Sequence, residues 1–176
     1  MKSLVLIGFM GTGKTTLGKA LAERLARPLV DLDDVIVREQ GMEIGELFAR
    51  YGEDYFRRIE HETLCRYVAQ PDLILSPGGG AVLQKVNRAV MREHCLVVCL
   101  TAQPDVILRR VEQDKTVRPV LERREPGQSK LERIEQVLAE RSACYQEADL
   151  VLDTSHASIE KLTEQVLLWL KEQAGA

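Results

Sequence analysis

A three-layer α/β fold on one parallel sheet is what this sequence predicts, and three observations carry the expectation. The apolar runs Ser3-Leu-Val-Leu-Ile7 and Cys95 to Leu100 are short and continuous, as in strands covered on both faces. Stretches with helical spacing separate such runs. A glycine-rich turn, Gly8 to Gly13, joins the first run directly to the first helical stretch. Five short strands alternating with helices make one α/β domain.

The elements follow in order. Lys14 to Leu25 places Leu17, Leu21 and Leu25 on one helical face, and Pro28 closes it before a second strand at Leu29-Val30-Asp31-Leu32. Helical spacing from about Glu43 to Ala69 is broken at Tyr51-Gly52. Asp72 to Leu75 is a third strand, ending in Ser76-Pro77-Gly78-Gly79-Gly80. A helix over Asn87 to Glu93 leads to the strand Cys95 to Leu100, and Pro104 opens another helix through Arg110. Asp114 to Gln128 is charged, holds Pro119, Pro126 and Gly127, and reads as a mobile loop. Lys130 to Tyr145 is helical, Asp149 to Leu152 a last strand, and Ser158 to Glu172 a closing amphipathic helix.

Composition narrows the partners. With 176 residues the chain suits a single domain, 1–176. Its net charge of -3 and 5% aromatic content argue against a nucleic-acid partner, which calls for a basic surface and stacking rings. Cys65, Cys95, Cys99 and Cys144 form no Cys-x-x-Cys pair and no zinc spacing with the three histidines, so they read as reduced core thiols. The apolar run Leu4 to Ile7 is too short for a signal peptide or a membrane span, which makes the cytoplasm the expected location.

Gly8-Phe9-Met10-Gly11-Thr12-Gly13-Lys14-Thr15 fits Gly-x-x-x-x-Gly-Lys-[Ser/Thr] between a buried strand and a helix, the context that a P-loop requires. Its backbone N–H groups and the helix N-terminus suit phosphate oxygens, Lys14 suits the β and γ phosphates of ATP, and the Thr15 hydroxyl suits Mg²⁺. The motif leaves the acceptor open, since switches, motors and small-molecule kinases share it.

The rest of the chain supplies acceptor candidates. Asp31, Asp33 and Asp34 fall at the carboxyl end of the second strand, the edge where open parallel sheets bind ligands. Asp31 and Asp33 could divide the holding of hydrated Mg²⁺ and the orienting of an acceptor hydroxyl, while Asp34 is expected to cap the helix starting near Val35. Arg57 and Arg58 precede Glu60 on a helix, either as a carboxylate clamp or as a solvated ion pair. Gly78-Gly79-Gly80 after a strand invites close backbone approach to a ligand. Arg118, in the charged segment, suits a lid that closes over the transferred phosphate and excludes water, and Arg110 and Arg141 are further candidates.

Taken together, Gly8-Phe-Met-Gly-Thr-Gly-Lys-Thr-Thr-Leu-Gly18, Asp31-Leu-Asp33, Phe56-Arg57-Arg58-Ile-Glu60, Gly78-Gly79-Gly80, Arg118-Pro119 and Arg141 closely resemble the shikimate kinase family in order and spacing, over almost the whole chain. The resemblance implies ATP-dependent phosphorylation of the 3-hydroxyl of shikimate, on the route to chorismate and aromatic amino acids. It implies parallel strand order 2-3-1-4-5, a substrate-binding region at about 32–62 and a lid at about 112–128; the absence of an evident heptad seam points to a monomer.

The same resemblance implies roles for single residues. Gly11, Thr12, Gly13, Lys14, Thr15 and Thr16 would bind ATP, with Arg110 near the adenine and Arg118 reaching the phosphates. Asp33 would be the candidate base, with Lys14 and Arg118 as its catalytic partners. Arg57 and Arg141 would hold the shikimate carboxylate, with Gly78, Gly79 and Gly80 against the substrate, and Thr15 and Asp31 would serve Mg²⁺. Two rivals stand beside this reading: a kinase of another small hydroxy acid such as gluconate, and a nucleotide-binding module without turnover.

Overall fold

The structure, a computed structural model, describes residues 2–114 and 119–175. Five strands, β1 (Ser3–Gly8), β2 (Leu29–Asp31), β3 (Ile74–Ser76), β4 (Cys95–Thr101) and β5 (Leu150–Asp153), form one parallel sheet in the order β2-β3-β1-β4-β5. This is the expected order.

Continuous apolar runs make sense here because both faces of the sheet are covered. On one face Val5, Ile7, Leu75, Val97 and Cys99 pack with Leu64, Val68, Met91, Ile107, Ile134 and Tyr145. On the other, Leu4, Leu6, Ile74, Val98 and Leu100 pack with Leu17, Leu21, Leu162 and Val166. Alternate residues of each strand thus serve opposite layers.

The helices supplying those layers are α1 (Lys14–Leu25), α3 (Ile44–Val68), α4 (Lys85–His94), α5 (Pro104–Gln113), α7 (Lys130–Tyr145) and α8 (Ile159–Gly175). Two shorter helices are α2 (Leu32–Gln40) and α6 (Pro119–Glu122). The expected break in α3 is a kink at Gly52, with φ 83° and ψ 172°. Beyond the kink, Phe56 and Ile59 join Ile36 and Leu47 in a small core that fixes α2 against α3. Ser129 caps α7 in a reciprocal box, its hydroxyl accepting from the Glu132 N–H while the Glu132 carboxylate accepts from the Ser129 N–H at 2.7 Å.

Two expectations need correction. The helix after β2 begins at Leu32, not near Val35, and its cap is Asp31, whose Oδ1 accepts from the Asp33 N–H at 2.9 Å. Asp34 sits in the first turn, where its charge favours the helix dipole without capping it. The second correction concerns the segment expected to be a loop outside the core. Its Pro119–Glu122 portion forms α6, with Leu121 buried against the α7 side of the core and the Val120 carbonyl accepting from Arg133 at 3.1 Å. Leu121, with Val120 beside it, anchors that turn to the core, which the charged surroundings conceal. Among the described residues, no helix is long and apolar enough to cross a membrane.

Candidate active site

Because every strand is parallel, their carboxyl ends meet along one edge of the sheet. Gly8, Asp31, Ser76, Thr101 and Asp153 end the five strands in turn. A cleft of about 730 Å³ opens there, lined on one side by Gly11 to Thr16 and on the other by Asp31, Asp33, Gly78, Gly79 and Arg141. Open parallel sheets bind ligands at this edge.

The P-loop half starts from local geometry. Gly13 takes φ 96° and ψ 17° as the residue before α1, a left-handed conformation that a side chain would strain. Its turn brings Gly11 to Thr16 against the cleft at the start of a 12-residue helix, whose first N–H groups lack intrahelical partners. The Lys14 ammonium donates to the carbonyls of Gly8 at 2.7 Å and Phe9 at 2.9 Å, which keeps its charge beside the loop. Arg110, from α5, donates to the Gly11 carbonyl at 3.1 Å and to the Thr154 carbonyl at 2.7 Å.

The other half is organised by the three glycines. None of them has a positive φ, so close approach, not backbone freedom, is what they provide. A methyl group on Gly78 would lie 2.6 Å from Asp33 Oδ1, and one on Gly80 2.7 Å from Arg57 Nη2. Between them, the Gly79 carbonyl accepts from Arg141 Nη1 at 3.0 Å. Each glycine thus abuts one of the three charged side chains singled out from the sequence. Arg57 and Gly80 lie just behind the cleft wall; Asp33, Gly78, Gly79 and Arg141 line it.

Electrostatics sharpen the roles. Burial, followed by the negative charges of Asp31, Glu60 and Asp34, raises the Asp33 carboxyl to about 6, against the opposing pull of Arg57. Burial likewise raises Asp31, partly offset by the Asp33 N–H that it accepts. Arg57 is not a solvated helix pair: Nη1 meets Glu60 Oε2 at 2.7 Å, and Glu60 is 2% exposed, its carboxyl raised by burial and held down by Arg57. The neighbouring Arg58 is the solvated one, 3.4 Å from an exposed Glu62. Arg141 is buried with its guanidinium 5.7 Å from the Phe9 ring centroid, a cation–π contact to the P-loop. Arg118 lies outside the described residues.

Sequence reasoning missed the end of β5. Thr154, Ala157, Ser158, Ile159 and Leu162 line the cleft beside Arg110, so the loop from β5 into α8 completes the P-loop side of it. The available signal was Asp153-Thr154-Ser155 at a strand's carboxyl end, the same edge rule that picked out Asp31 and Asp33. Phe9, beneath Arg141, was masked by its place inside the P-loop motif.

Comparison with known proteins agrees with this architecture. The family model described as shikimate kinase matches residues 10–171. A shikimate kinase of Thermodesulfovibrio yellowstonii is 39% identical over 95% of this chain and 94% of its own length. Among solved structures, the shikimate kinase of Acinetobacter baumannii in complex with shikimate superposes with a TM-score of 0.87 at 31% identity, covering 98% of this chain and 94% of that one. A gluconokinase of Sinorhizobium meliloti, at 16% identity and a TM-score of 0.60, shares the fold alone. With the matched model spanning nearly the whole chain and the glycine-backed acid and arginines in place, the chain belongs to the shikimate kinase family.

Proposed function

We propose that the two halves of the cleft divide the ATP-dependent phosphorylation of shikimate between them. The chain's activity is transfer of the γ-phosphoryl group of ATP to the 3-hydroxyl of shikimate. Gly11 to Thr16 hold the phosphates, and Arg110 lies towards the adenine side with the β5–α8 loop. Asp33 orients the acceptor hydroxyl and takes its proton as the oxygen attacks the γ-phosphorus, with ADP as leaving group. Arg57 and Arg141 hold the shikimate carboxylate, and Gly78 to Gly80 let the substrate approach the backbone. Lys14 offsets charge on the transferring group, as Arg118 does from the lid.

The observation that carries this reading is the row of contacts along Gly78, Gly79 and Gly80. It sets one acid and two arginines side by side next to a P-loop, the arrangement that an anionic hydroxy acid requires. A carboxyl near 6 is also close to the value that suits a base at neutral pH.

Thr15 and Asp31 fit Mg²⁺. Both line the cleft, and Asp31 uses Oδ1 for its cap. Magnesium keeps several waters and needs one or two carboxylates beside substrate phosphates. Thr15 and Asp31 would hold the ion, directly or through water, and it would offset negative charge on the phosphates. The acidic balance of the chain supports small-molecule partners over nucleic acid; the proposed setting is a cytoplasmic monomer.

A coupled ADP-release assay offering shikimate or gluconate tests the assignment. Turnover is expected with shikimate and not with gluconate. The opposite preference would transfer the reading to another hydroxy acid, and ADP binding without turnover on either would make the chain a binding module.

A further inference from the structure

Thr154 has no role in the reaction so far, yet its side chain joins the P-loop, the end of β4 and Arg110. It follows β5, is 3% exposed, and its own N–H donates to the Thr101 carbonyl at the end of β4 at 2.8 Å. Its Oγ1 lies 2.8 Å from the Thr12 carbonyl, 3.1 Å from the Thr101 carbonyl and 3.0 Å from Arg110 Nη1. A hydroxyl has one proton to give. The shorter distance sends it to Thr12, and the lone pairs receive Arg110.

The Thr12 carbonyl shares a planar trans peptide with the Gly13 N–H, and the two groups point in opposite directions. Pulling that carbonyl towards β5 therefore fixes where the Gly13 N–H points. Arg110 braces the preceding peptide, holding the Gly11 carbonyl at 3.1 Å while its other nitrogen is tied to the Thr154 carbonyl. P-loop N–H groups are the phosphate donors, so the carbonyl locked behind Gly13 pre-sets that donor, while the Thr12 N–H of the preceding peptide turns back to the Phe9 carbonyl at 3.4 Å.

We propose that Thr154 is a positioning residue for ATP: its hydroxyl locks the Thr12–Gly13 peptide plane and, through Arg110, ties the P-loop to α5. Replacement by valine keeps the shape and strands the Thr12 carbonyl and an Arg110 N–H in a nearly dry position. The inference rests on the P-loop being the nucleotide site, and the controls separate the two.

The test measures MgADP affinity by titration calorimetry, KM for ATP and for shikimate, and thermal melting, in Thr154→Val, Thr154→Ala and Thr154→Ser. The expected result is a loss of about tenfold in MgADP affinity and a matching rise in the ATP KM for valine and alanine, with the shikimate KM unchanged. Serine, which keeps the hydroxyl, is expected within about twofold of the parent. If valine disturbs folding, alanine decides. Parent-like affinity in alanine, equal impairment in serine, or both KM values rising together would each overturn the inference. Lys14→Ala is the control: unchanged MgADP binding there would sink the nucleotide-site reading itself, whereas its loss beside an unaffected Thr154→Ala overturns only the role of Thr154.

Discussion

Replacing Asp33 with asparagine should abolish most turnover and, at pH 8, make the folded protein more stable. Burial and three neighbouring carboxylates raise the Asp33 carboxyl from 3.8 to about 6. Between those values the folded chain holds its proton more tightly than the unfolded chain does. Stability therefore rises as pH falls through that window, and above about 6 the fold bears the full cost of the charge. At 1.36 kcal/mol per tenfold, that cost is about 3 kcal/mol. Asp33 remains partly solvated, which reduces the expected gain for asparagine to about 1–2 kcal/mol. Urea denaturation at pH 8 and at pH 4.5 reads the effect, since the advantage of Asp33→Asn should shrink at the lower pH, where the parent's carboxyl is protonated. In the parent, kcat/KM for shikimate should fall off on the acid side with an inflection near 6. A less stable Asp33→Asn at pH 8, or an acid limb at the ordinary aspartate value, would refute the reasoning.

Other perturbations test the acceptor side and the core. Gly80→Ala pushes a methyl group to 2.7 Å from Arg57 Nη2, the movable end of a side chain, so the fold should survive. The shikimate KM should rise about tenfold with the ATP KM unchanged, and steady-state kinetics showing equal changes would count against Arg57 as a carboxylate ligand. Glu60→Gln loses the charge that holds Arg57 at 2.7 Å; a loss of about 2 kcal/mol in denaturant melts and a higher shikimate KM are expected. Burial pushes Cys95 to about 11 and Cys99 to about 12, so a thiol reagent at pH 8 should modify the half-buried Cys65 and Cys144 first. Peptide mapping that finds Cys99 labelled first in the native protein would contradict this burial.

How much of the site could be read beforehand depended on the range of the interaction. The P-loop declares itself because strand, turn and helix are consecutive, and the break at Gly52 because helical periodicity fails locally. Asp31 as the cap of α2 was within reach of local reasoning, but the apolar Leu32 that follows reads equally as the end of the strand. Leu121 could not be recognised as an anchor, since the short pair Val120-Leu121 among charges shows no helical period. Glu60 beside Arg57 was visible as a pair; its near-complete burial, which turns a surface ion pair into a fixed support, was not.

The sequence by itself determined that strands and helices alternate, that the strands are buried on both faces, that a P-loop follows β1, and which side chains could meet an acidic acceptor. Those properties are written in neighbouring residues, through periodicity and backbone geometry. Only the tertiary structure decided that Asp33, Arg141 and Arg57 each rest on a different glycine of one loop, and that Thr154 reaches back to Thr12. Arg141 meets Gly79 across 62 positions and Thr154 meets Thr12 across 142. Contacts at such separations exist because a parallel sheet gathers all its carboxyl ends at one edge, a consequence of strand order that no local stretch contains.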